Sequence, residues 1–188
     1  AKALADLCEQ APDWPALAVV LERLSDIDPD AESRAKVAYR LAYLYEMQLS
    51  NTKGAIGAYR KLIGTSLETD ALPVLERLYE STGDEVSLAD ILERRALHEK
   101  DGEAARLLAF RAADLRAARS SDLGAVLDGW RRFLETYGPS REIHARILPL
   151  LEREQRFEEL AKTLDAEAGL TPSEERIPVL AKLAKVRL

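Results

Sequence analysis

The sequence is poor in the residues that most simple functions need. Cys8 is its only cysteine, which excludes an internal disulfide and a cluster of thiolate ligands and fits a reducing compartment such as the cytoplasm. Its two histidines, His98 and His144, have no partner at metal-ligand spacing, so both read as exposed helix-surface residues and no metal site is expected. Neither a Gly-x-Ser-x-Gly elbow nor a glycine-rich phosphate loop occurs, so no catalytic residue and no cofactor are expected. No apolar run approaches the ~18 residues of a membrane span, and no secretory leader opens the sequence. The charge balance of 27 basic against 33 acidic residues leaves a net −6 and no basic stripe, which argues against nucleic acid as a partner. Valine, isoleucine and threonine are scattered, with no alternating run between hairpin turns, so strands are not expected.

What is present is a repeat. When the chain is shifted by 71 residues, Leu17, Ala18, Leu21, Glu22 and Arg23 fall on Leu88, Ala89, Leu92, Glu93 and Arg94. A shift of 72 carries Leu88, Ala89 and Leu92 onto Leu160, Ala161 and Leu164. A fixed period of this length marks a stacked array, in which each unit packs mainly on its neighbours. The array divides into residues 13–83, 84–155 and a partial third copy at 156–188. Residues 1–12 carry the last helix of a preceding copy, so the chain reads as a fragment of a longer array.

The apolar period is helical almost throughout. A first helix is expected over about 2–10, burying Leu4 and Leu7. Asp13 caps the next, with Pro15 in its first turn. Asp28-Pro29 opens another, and Ser50 or Asn51 caps a helix carrying Ala55, Ile56, Tyr59, Leu62 and Ile63. The copy closes with a helix from about Asp70 to Thr82, ended by a left-handed Gly83. The second copy predicts helices over 85–99, 103–119, 122–136 and 140–154. Pro139 is one extra residue, placed in a loop. Thr171-Pro172-Ser173-Glu174 has the pattern of a capping box. Pro149 and Pro178 lie past the first turn of their helices and are expected to kink or shorten them. Trp14, Glu85 and Phe157 each precede a copy's first helix, where an aromatic suits packing between copies or a hydrophobic staple.

Two stretches resemble a known family. Leu41-Ala42-x-Leu44-Tyr45 with Ala55-Ile56-x-Ala58-Tyr59-x-x-Leu62, and Leu75-x-x-x-Tyr79-x-x-x-Gly83-Asp84, are similar to tetratricopeptide repeats. Glu76 departs from the family's preference for a small residue, and the loop after Glu46 is one residue longer than is usual in the family. The resemblance implies an all-α fold of about eleven helices, an αα-superhelix of antiparallel hairpins. It also implies that Ala42 and Ala55 let two helices approach while Tyr45 and Tyr59 fill the gaps beside them.

In such arrays the first helix of each hairpin lines a concave surface. That role would fall to Tyr39 and Tyr43, with Phe110 and Asp114 in the second copy and Lys36, Glu46, Met47 and Arg77 beside them. Exposed tyrosine, methionine and arginine are residue types suited to binding hot spots; the alternative is that the tyrosines merely cover the next hairpin. One acidic stretch, Asp26-Ile27-Asp28-Pro29-Asp30, opens like a calcium loop, but Ala31 and Val37 occupy its glycine and glutamate positions, so an interhelical turn explains it better. The composition, rich in alanine and arginine and poor in lysine, suggests a bacterial source. The function expected is a non-catalytic scaffold that binds a peptide or helix of a partner protein on its concave face. The alternative is a structural spacer or end-to-end self-association module of a larger protein.

Overall fold

The computed structural model describes residues 13–187, so the helix expected over 2–10, with Leu4, Leu7 and Cys8, lies outside the described residues. Among these residues the chain is all-α: ten α-helices and one short 3-10 turn, without a strand. The helices are α1 (Trp14–Ile27), α2 (Ala31–Met47), α3 (Thr52–Arg60), α4 (Glu68–Thr82), α5 (Glu85–His98), α6 (Gly102–Arg119), α7 (Leu123–Tyr137), α8 (Arg141–Arg153), α9 (Phe157–Leu170) and α10 (Arg176–Arg187). Their bounds carry the repeat. α1, α5 and α9 begin at Trp14, Glu85 and Phe157 and end at Ile27, His98 and Leu170, which reproduces steps of 71 and 72 residues at both ends.

The caps repeat as well. Asp13 accepts from the Ala16 N–H and Asp84 from the Ser87 N–H. Asp30 accepts from the Ser33 N–H, Asp101 from the Glu103 N–H, Asn51 from the Gly54 N–H and Asp122 from the Ala125 N–H. Each of these three pairs of caps is one 71-residue step apart. A side-chain oxygen at a helix start satisfies an N–H that has no partner inside the helix, so conserving the cap conserves the boundary. Gly83 ends α4 with φ 69°, the left-handed conformation for which glycine is suited.

The chain forms two compact units, divided between Leu108 and Ala109, inside α6. In the first, α1 packs on α2, α2 on α3, α3 on α4 and α4 on α5, the sequential hairpin packing of an αα-superhelix. Its core is leucine and alanine: Leu17, Leu21, Leu41, Leu62, Leu72, Leu75 and Leu92 are fully enclosed. Ala42 and Ala55 have no exposed surface where α2 meets α3. Beside them, the Tyr45 ring stands 3.0 Å from where a Cβ on Gly54 would lie, so a larger residue there would force the ring or the helix to move.

In the second unit α7 packs on α8, α8 on α9 and α9 on α10. This core is built on aromatics. Trp130 and Phe133 join Leu127, Ile143, Ile147, Leu151, Leu160, Leu164 and Leu183.

Several local expectations change. α3 stops at Arg60, and successive i→i+3 bonds from Leu62, Ile63 and Thr65 carry the chain through a tight turn, so Leu62 is buried from a turn rather than from a helix. The cap of α2 is Asp30 rather than Asp28, whose carboxylate instead accepts from the Asp30 N–H and the Ser33 hydroxyl. Thr171 is not a capping-box residue. Its hydroxyl donates to the Glu167 carbonyl at the end of α9, and the following Ser173–Glu175 turn has no side-chain cap. α10 therefore starts late, at Arg176, which puts Pro178 in its first turn, where a missing N–H costs little. Pro149 does not stop α8, and Pro73 likewise lies inside α4. The carbonyls each would have bonded belong to Ala145 and Thr69, both exposed residues that solvent can reach. Trp14 and Phe157 are first residues of their helices rather than residues before the cap, so neither can form a staple, and Phe157 is 55% exposed.

Candidate functional site

The residues singled out for partner binding divide between the two units. In the first unit, Lys36, Tyr43 and Met47 follow one another along one stripe of α2 at helical spacing, and Tyr39 and Glu46 form the adjacent stripe. Tyr43 and Met47 are 52% and 57% exposed. Lys36 is exposed and pairs with Glu32 one turn back at 2.7 Å; that contact holds its ammonium above the usual lysine range.

The adjacent stripe is occupied by the protein itself. Tyr39 is half-buried, and its ring meets the ring of Tyr59 edge-on at 6.0 Å. The Tyr59 hydroxyl donates to Glu46 at 3.1 Å, and Glu46 also forms an ion pair with Arg77 of α4. Burial, then the neighbouring Glu46 carboxylate, pushes the Tyr59 phenol well above its ordinary range. Glu46 thus joins α2, α3 and α4, while Arg77 keeps an exposed side chain at the edge of the stripe. In this unit the structure brings Lys36, Tyr43, Met47 and Arg77 to solvent, and turns Tyr39 and Glu46 to packing and charge pairing.

In the second unit, Phe110 is half-buried and packs against the core. Its ring lies 5.6 Å from Trp130 and 6.1 Å from Phe133, centroid to centroid. Arg146 of α8 covers that ring at 5.8 Å and pairs with Asp114 at 2.8 Å. A cation over an aromatic face is attracted to it, so Arg146 ties both residues to α8.

The acidic stretch of residues 26–30 is spent on local structure. Asp26 pairs with Lys61, the residue just past α3, at 2.7 Å, and that hydrogen bond holds its carboxyl below the usual range. Asp28 and Asp30 organise the start of α2. Among the described residues no group of three or more histidine, cysteine, aspartate or glutamate side chains is placed to hold a metal ion, and no helix is long and apolar enough to cross a membrane.

The expectation of two exposed histidines holds for His98 and fails for His144. His98 is exposed near Glu68. His144 is buried, with Nδ1 2.8 Å from Glu167 Oε2. It sits on the face of α8 that also buries Ile143 and Ile147, and a helical wheel of that segment carries the signal. Sequence reasoning also passed over Ile177 and Leu180, which α10 leaves 73% and 45% exposed. No known family model matches the chain, and no curated protein matches it.

Proposed function

We propose that the chain is a tetratricopeptide-like array that acts as a non-catalytic scaffold, holding a peptide or helix of a partner protein against α2 of its first unit. Support for the tetratricopeptide-like reading comes from the α2–α3 hairpin. Buried Ala42 and Ala55 meet there, with Tyr45 and Tyr59 beside them. The observation that carries the binding reading is the pair Tyr43 and Met47. Both are large, both are more than half exposed, and they lie one helical turn apart. A tyrosine gives a partner a wide apolar face and one hydroxyl at small entropic cost, and a methionine adapts its shape to what it meets. Lys36 and Arg77, paired with Glu32 and Glu46, give the stripe a mixed-charge rim, which suits a segment carrying charges of both signs.

The test compares the chain with a Tyr43→Ala, Met47→Ala variant as baits for proteins of its own cell. Both side chains are exposed, so the variant keeps its helical circular dichroism. A partner that the wild type captures, that is identified by mass spectrometry, and that rebinds as a purified protein at least tenfold more weakly to the variant supports the scaffold. Equal binding by wild type and variant removes the α2 stripe as the site.

A further inference from the structure

Within each unit, ion pairs join the first helices of successive hairpins. In the first unit Glu46 of α2 pairs with Arg77 of α4. In the second, Asp114 of α6 pairs with Arg146 of α8 at 2.8 Å, and Glu152 of α8 pairs with Lys182 of α10 at 2.5 Å. Each time the earlier helix supplies the acid and the later one the base. In the order of packing a second helix stands between: α2 packs on α3 and α3 on α4, as α8 packs on α9 and α9 on α10. These pairs therefore tie together helices that are not consecutive in the stack.

The tie recurs although its residues do not. A shift of 71 carries Glu46 onto Ala117, and a shift of 72 carries Arg77 onto Pro149, so the first pair has no counterpart at its own positions. Asp114 and Arg146 each stand three residues earlier, about one turn back along both helices. A matched step in the two helices keeps an acid opposite a base. The third pair stands elsewhere again: with Leu183 and Ala184 set on Leu41 and Ala42, Lys182 falls on Arg40, and Glu152 falls on Glu80. Exposed ion pairs contribute little, and both partners of each pair in the second unit are well exposed. Glu46 differs. Its side chain is 16% exposed, and it also accepts from the Tyr59 hydroxyl of α3 at 3.1 Å. A carboxylate that a hydrogen bond holds in place, with little water around it, attracts a cation more strongly than a free one in solvent does.

We propose that Glu46 and Arg77 form a lock that sets the spacing of α2 and α4, and that breaking the pair lets these two helices move apart while the packed layers stay intact. Close packing of Ala42 and Ala55 fixes α2 on α3. Glu46 lies one turn beyond Ala42, near the end of α2, where its charge reaches across to α4. The lock adjoins Met47, so its state shapes the surface that carries Tyr43 and Met47. The inference needs no partner protein and does not rest on the binding reading of that surface.

The test is pulsed electron resonance between spin labels attached through Tyr43→Cys on α2 and Thr69→Cys on α4, in a chain whose native cysteine is removed by Cys8→Ser. Both label sites are exposed. Glu46→Gln keeps an acceptor for Tyr59 and removes the charge. It is expected to lengthen the mean distance by roughly 2 Å, the scale of a helix shift, and to broaden the distribution. Arg77→Gln and the double variant are expected to give the same change, because each breaks the same tie. Glu32→Gln, which breaks the pair with Lys36 inside α2, is expected to leave the distance unchanged. Circular dichroism checks that every variant stays helical. The Arg77 side chain is exposed, so Arg77→Gln keeps the fold and decides the question by itself if Glu46→Gln does not. An unchanged distance in Arg77→Gln, a double variant equal to the sum of the single ones, or an equal change in Glu32→Gln would overturn the proposal.

Discussion

His144 Nδ1 lies 2.8 Å from Glu167 Oε2, and both residues are buried where α8 meets α9. Arg141 reaches the other oxygen of Glu167 at 3.3 Å and pairs with Glu175 at 2.9 Å. The corresponding α4–α5 corner of the first unit uses the same kinds of residue with the signs exchanged. There Glu68 near the start of α4 faces Arg94 and His98 near the end of α5. An acid at a helix start and bases at a helix end both suit the helix dipole. In the second unit Arg141 at a helix start and Glu167 at a helix end each sit at the less favourable end, where their mutual pairing offsets the dipole.

Removing both members of the buried pair should therefore cost less than the sum of removing each alone. His144→Leu and Glu167→Leu are each expected to lower stability by about 1–3 kcal/mol, because each leaves a buried polar group without its partner. The double variant should lose less than the sum, since an apolar pair of similar size can replace a buried polar one. Urea denaturation of the four proteins measures the coupling, and strict additivity would show that the contact contributes nothing.

Glu68 links stability to acid. Burial of its carboxyl raises its pKa, but the Gly64 N–H at 2.8 Å, Arg94 and His98 outweigh burial and hold it below its ordinary value of 4.5. A carboxyl whose pKa is lowered on folding stabilises the fold above its unfolded pKa, and that contribution is lost as pH falls through the folded pKa. Glu68→Gln is expected to be less stable than the wild type at neutral pH, with the difference closing as the solution is acidified below 4.5. Thermal melts across that range provide the measurement, and a difference independent of pH would contradict the assignment.

Tyr45 makes the opposite link. Its hydroxyl donates to Glu22 at 2.6 Å; burial first, then that hydrogen bond, push the phenol up to about 12. A pKa raised on folding stabilises the fold fully below the unfolded value of 10.0, and the contribution disappears as pH rises through the folded value. Tyr45→Phe is expected to remove one phenol from the strongly alkaline end of the absorbance titration at 295 nm. Loss of a phenol from the ordinary range instead would place Tyr45 in solvent.

The α2–α3 contact should tolerate no added bulk. Ala42 has no exposed surface and faces a hairpin in which Ala55 is equally enclosed. Ala42→Leu is expected to destabilise the chain by about 1–3 kcal/mol through overpacking. Ala184→Leu, the same change at the matching exposed position of α10, should have little effect. Equal losses at both positions would mean that the two faces are not distinguished by cover.

The helices, and the ends set by Asp13, Asn51 and Gly83, were readable from the sequence because the forces that set them are local. Asp13, Asn51 and Gly83 act within a few residues of where they stand, and an apolar period places the buried leucines without reference to any partner. Charged and aromatic side chains were less readable, because their roles depend on groups brought from other helices. Glu46 has the look of a groove residue until Tyr59 and Arg77 reach it. Phe110 could be an exposed anchor until Trp130 and Phe133 close round it. His144 could be a surface residue until Glu167 is set opposite it. The sequence by itself determined an all-α chain of repeated hairpins, since helix period and capping are properties of short stretches. The tertiary structure alone decided which Tyr, Glu and His side chains are committed to packing and that Tyr43 with Met47 stays open, because a long side chain can be satisfied in water or by a neighbour and only packing chooses between them.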